Sequence, residues 1–453
     1  DNIGKYYGFE FTPDMKKMLV SANRKFAIVD APKSTLKIKD EDYVSLDNMK
    51  KWVDVRQEWA QIYKEAWRQM RDYFYAPNMH GVDWNAMYDK YAVLVPYAGD
   101  RNDVNYLIGE LIGELNIGHA YVGGGDRAEA DRIKQGLLGA QLTRDESGFY
   151  KITKILKGES WNKSTVSPLR EVGVDAKEGD FIVAVDGVST QDMNDIFESL
   201  VGKANTAVVL SLNEKPELKG AHDVVVKTID DEHLLYYYNW VQDNIRKVDE
   251  ATDGQVGYIH IPDMGPDGLN EFVKYFYPQL GKKALIIDDR GNGGGNVSPM
   301  IIERLRREIA MYNVSRNCGV TTKPSEMMNG PKVLLLNKYS ASDGDLFPWQ
   351  FKYYNIGKTI GTRSWGGVVG IRGSLPFIDG GFLNRPEFAP FDSDGNWIIE
   401  GHGVDPDIVI DNNPYLEFNG EDAQLNKAIE VILEELKNWK KEPAVPDYPD
   451  KSK

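Results

Sequence analysis

The chain has 453 residues, which is too long for one ordinary hydrophobic core and favours two to four domains. Its composition is that of a globular protein, and a formal charge of −15 without clustered Lys and Arg argues against binding to nucleic-acid backbones. A single cysteine, Cys318, excludes an internal disulfide and a cysteine-based metal cluster, and no run of about 18 apolar residues predicts a membrane span.

The first predicted element is a β-meander at residues 9–31, where FEFTPDMKKMLVSANRKFAIVDA reads as three strands with turns at residues 13–14 and 22–23. Three strands alone cannot bury one face of their sheet. The chain also begins at Asp1 rather than at Met. We therefore expect residues 1–38 to be the end of a larger β-domain that begins upstream of this sequence.

A helical subdomain is predicted at residues 39–135. Large apolar side chains recur every three or four residues between Asp47 and Tyr75, which predicts a helix with one buried face. Asp83 is a candidate N-cap for a second helix, and residues 104–115 read as a third.

The rest of the chain changes character twice. Residues 136–228 form a self-contained β-rich segment, with a short helix expected at residues 191–200. From residue 229 to 440, apolar runs alternate with helical segments, which is typical of parallel α/β structure, and the last helix is expected at residues 423–439. Residues 441–453 are rich in Pro and charge and predict a mobile tail. The fold class expected is therefore multidomain α+β.

The stretch NKYSASDGDLFPW, residues 337–349, places two serines, Ser340 and Ser342, between a buried strand and a helix that begins near Gly344. Sites in α/β sheets usually lie at the carboxyl ends of strands, and unpaired N–H groups at a helix start can hold a developing oxyanion. Ser342 is therefore a candidate nucleophile. It also fits an ordinary N-cap, with Asp345 as the acid at the third helical position.

Two other segments carry candidate groups. ALIIDDRGNGGGNVSPM leads from a strand through glycines that would let N–H groups approach a substrate, and no Lys-Ser/Thr follows to make it a phosphate loop. His119, in NIGHAYVGGG, is a candidate base, although a histidine in such a setting is by itself more often structural. No histidine pair has metal-ligand spacing, and DSDGNWIIE, residues 392–400, reads as a hairpin turn rather than a calcium loop. No metal or organic cofactor is expected.

Together these segments resemble the tricorn protease family, within the wider C-terminal processing peptidase superfamily. The resemblance covers residues 40–440 approximately and rests on five motifs in the family's order: ELNIGHAYVGGG, RGNGGGNVS, NKYSASDGD, GTRSWGGVVG and EGHGVDPDI. It implies a PDZ-like domain at residues 136–228, inserted between a helical catalytic subdomain at 39–135 and an α/β subdomain of ClpP/crotonase-like fold at 229–440. Residues 1–38 would be the remnant of a β-propeller.

The resemblance implies a serine endopeptidase that cleaves peptides or unfolded polypeptides through an acyl-enzyme. In the family's pattern Ser342 is the nucleophile, and the N–H group of Asp343 is one oxyanion donor. Gly295, in the glycine-rich turn, is our choice for the second donor. His119 is the implied general base, and Glu400 is the acid that supports it.

Two departures from the superfamily's patterns leave rivals open. The processing branch uses a lysine 25 residues after its nucleophile, which is Gly367 here, so His119 remains the base unless some other lysine serves. The tricorn family usually has a serine before the histidine, whereas this chain has Gly118, so Glu400 would reach His119 directly or through water. That departure favours the main alternative, a non-catalytic peptide-binding protein that uses its PDZ domain. The joint presence of Ser342, His119 and Glu400 disfavours it.

Partners follow from the same resemblance. The N–H groups of one PDZ turn would bind the carboxylate of a peptide end, or the domain would only brace the two catalytic halves; the turn comprises Gly136, Leu137, Leu138 and Gly139. Residues 311–326 should help to line the specificity pocket, and they carry no carboxylate before Glu326. The resemblance implies a homo-oligomer in the cytoplasm, whereas an upstream export signal would place the protein in the periplasm.

Overall fold

The computed structural model describes residues 6–22, 25–32, 36, 38–159, 161–373, 375–439 and 443–452. Part of the predicted turn at 22–23, and residues 441, 442 and 453 of the predicted tail, lie outside these ranges. The chain divides into two compact units, Asp1–Gln61 and Ile62–Lys453. Among the described residues, no helix combines the length and the apolarity that crossing a lipid bilayer requires.

The first unit contains the predicted meander, an antiparallel sheet in the order β1-β2-β3. Its strands are β1 Tyr6–Phe11, β2 Lys17–Ala22 and β3 Lys25–Asp30. In β2, Met18, Val20 and Ala22 are buried and alternate with more exposed residues, as the period of a strand requires. The prediction of three strands is confirmed.

The helical part contains three α-helices and a short strand: α1 Val55–Tyr73, α2 Trp84–Ala92, α3 Arg101–Gly113 and β4 Val122–Gly123. The predicted start of the first helix at Asp47 is wrong. The helix begins at Val55 because the carboxylate of Asp54 accepts the N–H groups of Arg56 and Gln57, and Trp52 before it is fully exposed. Asp83 does cap α2, where it accepts the N–H group of Ala86.

The third helix, predicted at 104–115, begins earlier because Asp100 accepts the N–H groups of Asn102 and Asp103.

The β-rich segment forms an antiparallel sheet in the order β10-β9-β7-β6-β5, with β8 paired to β7. Its strands are β5 Ala140–Arg144, β6 Tyr150–Ile155, β7 Phe181–Val185, β8 Val188–Ser189, β9 Ala207–Asn213 and β10 His222–Lys227. The helix predicted at 191–200 is wrong. Two 3-10 turns, Thr190–Asp192 and Ile196–Leu200, take its place, because extended backbone at Met193 and Asp195 separates them.

The last part alternates helices and strands as predicted: α4 His233–Ala251, β11 Val256–His260, α5 Pro266–Phe276, β12 Ala284–Asp288, α6 Ser298–Leu305, β13 Met311–Asn313, β14 Thr321–Lys323, β15 Lys332–Leu336, α7 Asp343–Tyr353, β16 Lys358–Gly361, β17 Gly370–Ile371, β18 Phe382–Leu383, β19 Pro386–Phe388, β20 Ile408–Val409, α8 Pro414–Phe418 and α9 Ala423–Asn438. The central sheet is entirely parallel, in the order β11-β12-β15-β16-β20.

Every residue of β11, β12 and β15 is buried, because helices cover both faces of the parallel sheet. One apolar core joins the sheet to α5, α6 and α7, and a second joins it to α4 and α9. This packing brings the carboxyl ends of β12 and β15, with the loops that follow them, to the same edge of the sheet.

Candidate active site

The two serines of the 337–349 stretch have different surroundings. Ser340 is fully buried; its hydroxyl donates to the carbonyl of Asp289 (2.8 Å) and accepts the N–H group of Asn337 (3.1 Å), so its role is structural. Ser342 is the N-cap of α7 and has a left-handed backbone conformation, with φ +59° and ψ −117°. Such a conformation costs about 1–3 kcal/mol for a residue with a side chain and is concentrated at functional sites.

Two N–H groups beside Ser342 have no acceptor among the described residues. Met264 donates its N–H group to the carbonyl of Gly294 (2.8 Å) and accepts that of Asn296 (2.7 Å), so the N–H group of Gly295 between them points away from Met264. The N–H group of Asp343 is the first of α7 and has no partner within the helix. These are the two donors expected from the sequence.

Gly294 allows the glycine-rich loop to approach Ser342 closely. A Cβ atom on Gly294 would lie 2.5 Å from Cβ of Ser342 and 3.1 Å from the nitrogen of Asp343. The buried side chain of Asn292 fixes this approach: its oxygen accepts the N–H group of Gly294 (2.9 Å), and its backbone carbonyl accepts that of Ala341 (2.8 Å). The close approach therefore requires glycine at position 294.

The segment that carries His119 is attached to the α/β part by several contacts. Strand β4 pairs with β18, and the N–H group of Asn384 donates to the carbonyl of Tyr121 (2.8 Å). A fully buried ion pair joins Arg101 of α3 to Asp379 at 2.6 Å. Removing either partner of such a pair leaves an uncompensated buried charge, so these contacts hold His119 firmly in place.

His119 lies against Trp365, with the ring centroids 5.3 Å apart in an edge-to-face arrangement. The backbone N–H group of Trp365 donates to the carbonyl of Ser340 (2.9 Å), two residues before the candidate nucleophile. Only 8% of His119 is exposed, and its Nδ1 atom is buried without a hydrogen-bond partner among the described residues. Burial lowers the pKa of His119, and the nearby charge of Glu400 opposes that shift.

Glu400 is held by three backbone donors. Its Oε1 atom accepts the N–H group of Gly118 (3.1 Å), and its Oε2 atom accepts those of Val368 (2.6 Å) and Val369 (3.0 Å). The acid is therefore attached directly to the residue that precedes His119. His119 and Glu400 thus both contact residues 364–369, whereas no hydrogen bond joins the hydroxyl of Ser342 to His119 among the described residues.

The position of the processing branch's lysine is filled by an aromatic ring. A Cβ atom on Gly367 would overlap the indole of Trp365, so no longer side chain fits at position 367 unless the indole moves. Gly118 is also closely surrounded, and a Cβ atom there would lie 3.1 Å from Cα of Gly367 and 3.5 Å from Oε1 of Glu400.

Three buried acids surround the start of α7, and the sequence interpretation gave a role to the side chain of only one of them, Asp345. Burial raises the pKa of Asp345 to about 6, and it also raises the pKa of Asp343, whose carboxylate accepts the N–H and hydroxyl groups of Ser298. Asp289 is fully buried, and burial raises its pKa well above the usual range. The acidic run in IIDDR was the available signal for Asp289.

The PDZ turn at 136–139 has internal partners. Gly136 donates its N–H group to the carbonyl of Leu200 (2.8 Å), and Leu137 donates to that of Ile229 (2.8 Å). The carboxylate of Glu232, just before α4, accepts the N–H group of Gly139 (2.8 Å) and also that of Leu138. A carboxylate of this chain thus occupies the two N–H groups expected to bind a peptide end.

Comparison with known proteins connects this geometry to a family. Three family descriptions match: Tricorn protease C1 domain at residues 55–113, Tricorn protease PDZ domain at 136–231, and Peptidase family S41 at 255–410. The Tricorn protease of Thermoplasma acidophilum is 35% identical over 439 residues, which cover 96% of this chain and 41% of that protein. Tricorn protease homolog 1 of Streptomyces coelicolor is 34% identical over 433 residues, covering 94% of this chain and 40% of the homolog.

Two further matches agree. The Putative Tricorn-like protease C-terminal subunit of Sulfurisphaera tokodaii is 37% identical, covering 94% of this chain and 50% of that protein. The crystal structure of the tricorn protease superposes with a TM-score of 0.86 at 34% identity, covering 96% of this chain and 42% of that one. The chain spans about two fifths to one half of the length of these relatives.

Proposed function

Because the chain belongs to the tricorn protease family, we propose that it is a serine peptidase that hydrolyses peptides or unfolded polypeptides through an acyl-enzyme. The observation that carries the proposal is the left-handed turn at Ser342 beside the unpaired N–H groups of Gly295 and Asp343. An ordinary N-cap has extended backbone and needs neither feature. An oxyanion that forms on the substrate carbonyl needs unpaired N–H donors beside the attacking hydroxyl, and strained backbone is concentrated at such functional sites.

In the proposed reaction, Oγ of Ser342 attacks the carbonyl carbon of the scissile bond while His119 removes the hydroxyl proton. The carbonyl electron pair moves to the oxygen, which the N–H groups of Gly295 and Asp343 stabilise. When the C–N bond breaks, His119 transfers the proton to the leaving amine. Water then attacks the ester with His119 again as base, which releases the acid and restores Ser342.

The surroundings of His119 suit a general base. Burial lowers the pKa of His119 from its usual value near 6.5, so the ring is neutral and ready to accept a proton at pH 7. Glu400 supports the imidazolium through its charge, since no direct hydrogen bond joins Glu400 to Nδ1 of His119 within the described residues. The missing side chain at Gly118 leaves this coupling weaker than a hydrogen-bonded relay would be.

The PDZ domain is proposed to brace the catalytic parts. Glu232 ties the turn at Leu138 and Gly139 to the start of α4, and α4 leads directly into β11 and so to Met264, which holds the glycine-rich loop. A peptide end would have to displace Glu232 to bind the same N–H groups. Bracing therefore explains the turn better than peptide capture.

Self-association is the remaining part of the proposal. The hairpin β13–β14 lies within residues 311–326, which were expected to line the specificity pocket and which carry no carboxylate before Glu326. The family resemblance implies a preference for basic residues on the amino side of the cut, and a pocket for such side chains would then need an acidic group from a neighbouring copy. We therefore propose a homo-oligomer, with the residue preference at the cut dependent on assembly.

A fluorophosphonate label tests the activity. We expect stoichiometric phosphonylation of Ser342, located by mass spectrometry of the digested protein, and no label on His119→Ala. His222→Ala is the matched control, because His222 is an exposed histidine bonded only to the carbonyl of Asp175, and it should be labelled like the wild type. A folded wild-type protein that takes no label at any pH would contradict the proposed peptidase.

A further inference from the structure

Asp345 lies beneath the candidate nucleophile and is fully buried. Its Oδ2 atom accepts the N–H group of Ser342 at 2.8 Å, and its Oδ1 atom accepts the N–H group of Gly366 at 2.7 Å. One carboxylate thus joins two segments that are more than twenty residues apart in the sequence. The first segment carries the nucleophile, and the second belongs to residues 364–369.

The 364–369 segment contacts both other members of the proposed triad. The indole of Trp365 packs against His119, and the N–H groups of Val368 and Val369 hold the carboxylate of Glu400. A displacement of this segment would therefore move the base and the acid together. Its attachment to the nucleophile includes the hydrogen bond from Trp365 to Ser340 and the hydrogen bonds that Asp345 accepts from Ser342, Gly366 and the hydroxyl of Ser364.

We propose that Asp345 is a positioning residue for the peptidase reaction: its carboxylate keeps the turn at Ser342 in register with the segment that carries the partners of His119 and Glu400. This inference rests on the proposed function. It extends beyond the capping role expected from the sequence, because a capping acid needs only the bond to Ser342, whereas the bond to Gly366 serves the rest of the site.

The chemistry requires a carboxylate at this position. The N–H groups of Ser342 and Gly366 and the hydroxyl of Ser364 donate to the two oxygens. An ionised carboxylate can accept all of these hydrogen bonds, whereas an amide would turn its own NH2 group toward one of the N–H donors. No cationic side chain forms an ion pair with Asp345 in the described part of the chain. The hydroxyl of Ser364, the backbone N–H donors and the N-terminal end of α7 therefore stabilise the charge.

The same arrangement makes the site sensitive to acid. Burial raises the pKa of Asp345 to about 6, so the carboxylate is ionised at pH 7 and becomes protonated as the pH falls through 6. Protonation would remove one acceptor and loosen one of the two bonds. The other ionisable groups on the elements packed around it are these: Asp343, Asp289, His119, Glu400 and His402.

Asp345→Asn tests the inference, with labelling rates and peptide kinetics as readouts. We expect the fluorophosphonate labelling rate and kcat to fall about 100-fold while KM changes less than about threefold, since positioning of the triad affects the chemical step. The control is Asp407→Asn, a half-exposed carboxylate that accepts the N–H group of Thr359 and pairs with Lys352 at 2.8 Å. It should leave labelling unchanged.

The pH profile separates positioning from simple loss of structure. In the wild type, labelling should fall below pH 6 with a dependence on two protons, one on His119 and one on Asp345. In Asp345→Asn the remaining activity should depend on one proton. If Asp345→Asn does not fold, Asp345→Glu replaces it, because the longer side chain keeps a carboxylate and moves its oxygens. A labelling rate of that variant equal to the wild-type rate then overturns the inference, and a lower rate with an unchanged KM supports it.

Other outcomes are equally decisive. Normal labelling of Asp345→Asn, with an unchanged profile, overturns the role of Asp345 and leaves the peptidase intact. A wild-type protein that is not labelled overturns the proposed function and this inference with it.

Discussion

Two clusters of backbone N–H groups in this protein differ in whether they have hydrogen-bond acceptors. In the PDZ turn at 136–139, the N–H groups are paired, two with carbonyls and two with the carboxylate of Glu232. In the glycine-rich loop and at the start of α7, the N–H groups of Gly295 and Asp343 have no acceptor among the described residues. Both clusters use glycine-containing turns, so residue type alone does not distinguish them.

The difference indicates at which of the two clusters a negative charge is expected to develop. An unpaired donor shielded from water costs about 1–3 kcal/mol, so a fold normally supplies a partner, as Glu232 does in the PDZ turn. Asp343 is buried and Gly295 is exposed, so the unpaired N–H group of Gly295 is open to water and equally to a substrate oxygen that becomes negative during reaction. The contrast thus agrees with a structural role for the turn at 136–139 and with the chemical role proposed for Gly295 and Asp343.

The largest effect on activity is expected for Ser342→Ala. If the unpaired donors serve an attack by this serine, peptide hydrolysis should fall on the order of 100,000-fold, because the remaining donors cannot replace the nucleophile. Steady-state hydrolysis of a peptide mixture, followed by mass spectrometry, measures the loss. Retention of more than about one hundredth of the activity would assign the nucleophile to another residue.

Gly294→Ala tests the role of the unpaired N–H groups of Gly295 and Asp343. The added methyl group would lie 2.5 Å from Cβ of Ser342 and 3.1 Å from the nitrogen of Asp343, so it should displace both and lower kcat about 100- to 1,000-fold. Gly293→Ala is the matched control, since a Cβ atom there meets nothing within 4 Å. Equal effects of the two substitutions would contradict the assignment.

The pH dependence sharpens the choice of base. Because burial lowers the pKa of His119, its ring stays neutral above pH 7, and kcat/KM should be flat between about pH 7 and 9. Activity should be lost only at pH values below 6.5, where the imidazole becomes charged. A lysine base would instead lose activity tenfold per unit as the pH falls from 9 to 7, and such a profile would reject His119.

Gly118→Ser should raise activity, by about 3- to 10-fold, because a hydroxyl here can bridge Glu400 and the unpartnered Nδ1 atom of His119. Gly118→Ala is the control, since it adds the same Cβ atom without the hydroxyl and must also fit against Gly367. The kcat values of the two variants are compared at pH 7.5. A serine variant no faster than the alanine variant would show that the coupling does not limit the reaction.

The smallest effect on activity is expected at Glu232. Glu232→Ala leaves the N–H groups of Leu138 and Gly139 unpaired and should lower the free energy of unfolding by about 1–3 kcal/mol relative to Glu232→Gln, whose amide oxygen can still accept one of them. Chemical denaturation measures this difference, and hydrolysis should change less than about twofold.

A pH series refines the same test. Burial raises the folded-state pKa of Glu232 above its usual value, so its contribution to stability is full below the unfolded pKa and is lost as the pH rises through the folded pKa. Glu232→Gln should remove that pH dependence. If a peptide with a free carboxylate binds Glu232→Ala and not the wild type, the turn is a closed binding site rather than a brace.

Much of the architecture followed from local patterns. Apolar runs alternating with helical segments predicted the parallel sheet, because strands buried on both faces are apolar throughout. The family resemblance is confirmed by the matching family descriptions and relatives. Element ends were less well predicted, since the capping acids Asp54 and Asp100, rather than the apolar periodicity, decide where α1 and α3 begin.

The contacts of the site could not be read from the sequence. The segment that carries His119 is joined to the α/β part by the β4–β18 pairing and by the buried ion pair between Arg101 and Asp379. The two residues of the ion pair lie 278 positions apart in the sequence. The bond between Glu232 and Gly139 spans 93 residues. The sequence around one residue of each pair does not indicate which residue it contacts.

The residues that could carry chemistry, and their local settings, follow from the sequence alone. They are a serine and a capping acid at a helix start after a strand, a glycine-rich loop, and one histidine among small residues. Backbone propensity and short-range hydrogen bonding decide such features within a few residues. Which N–H groups remain unpaired and which have a hydrogen-bond acceptor depends on the tertiary structure. That outcome depends on the packing of segments distant in the chain, where an ångström of displacement makes or removes a hydrogen bond.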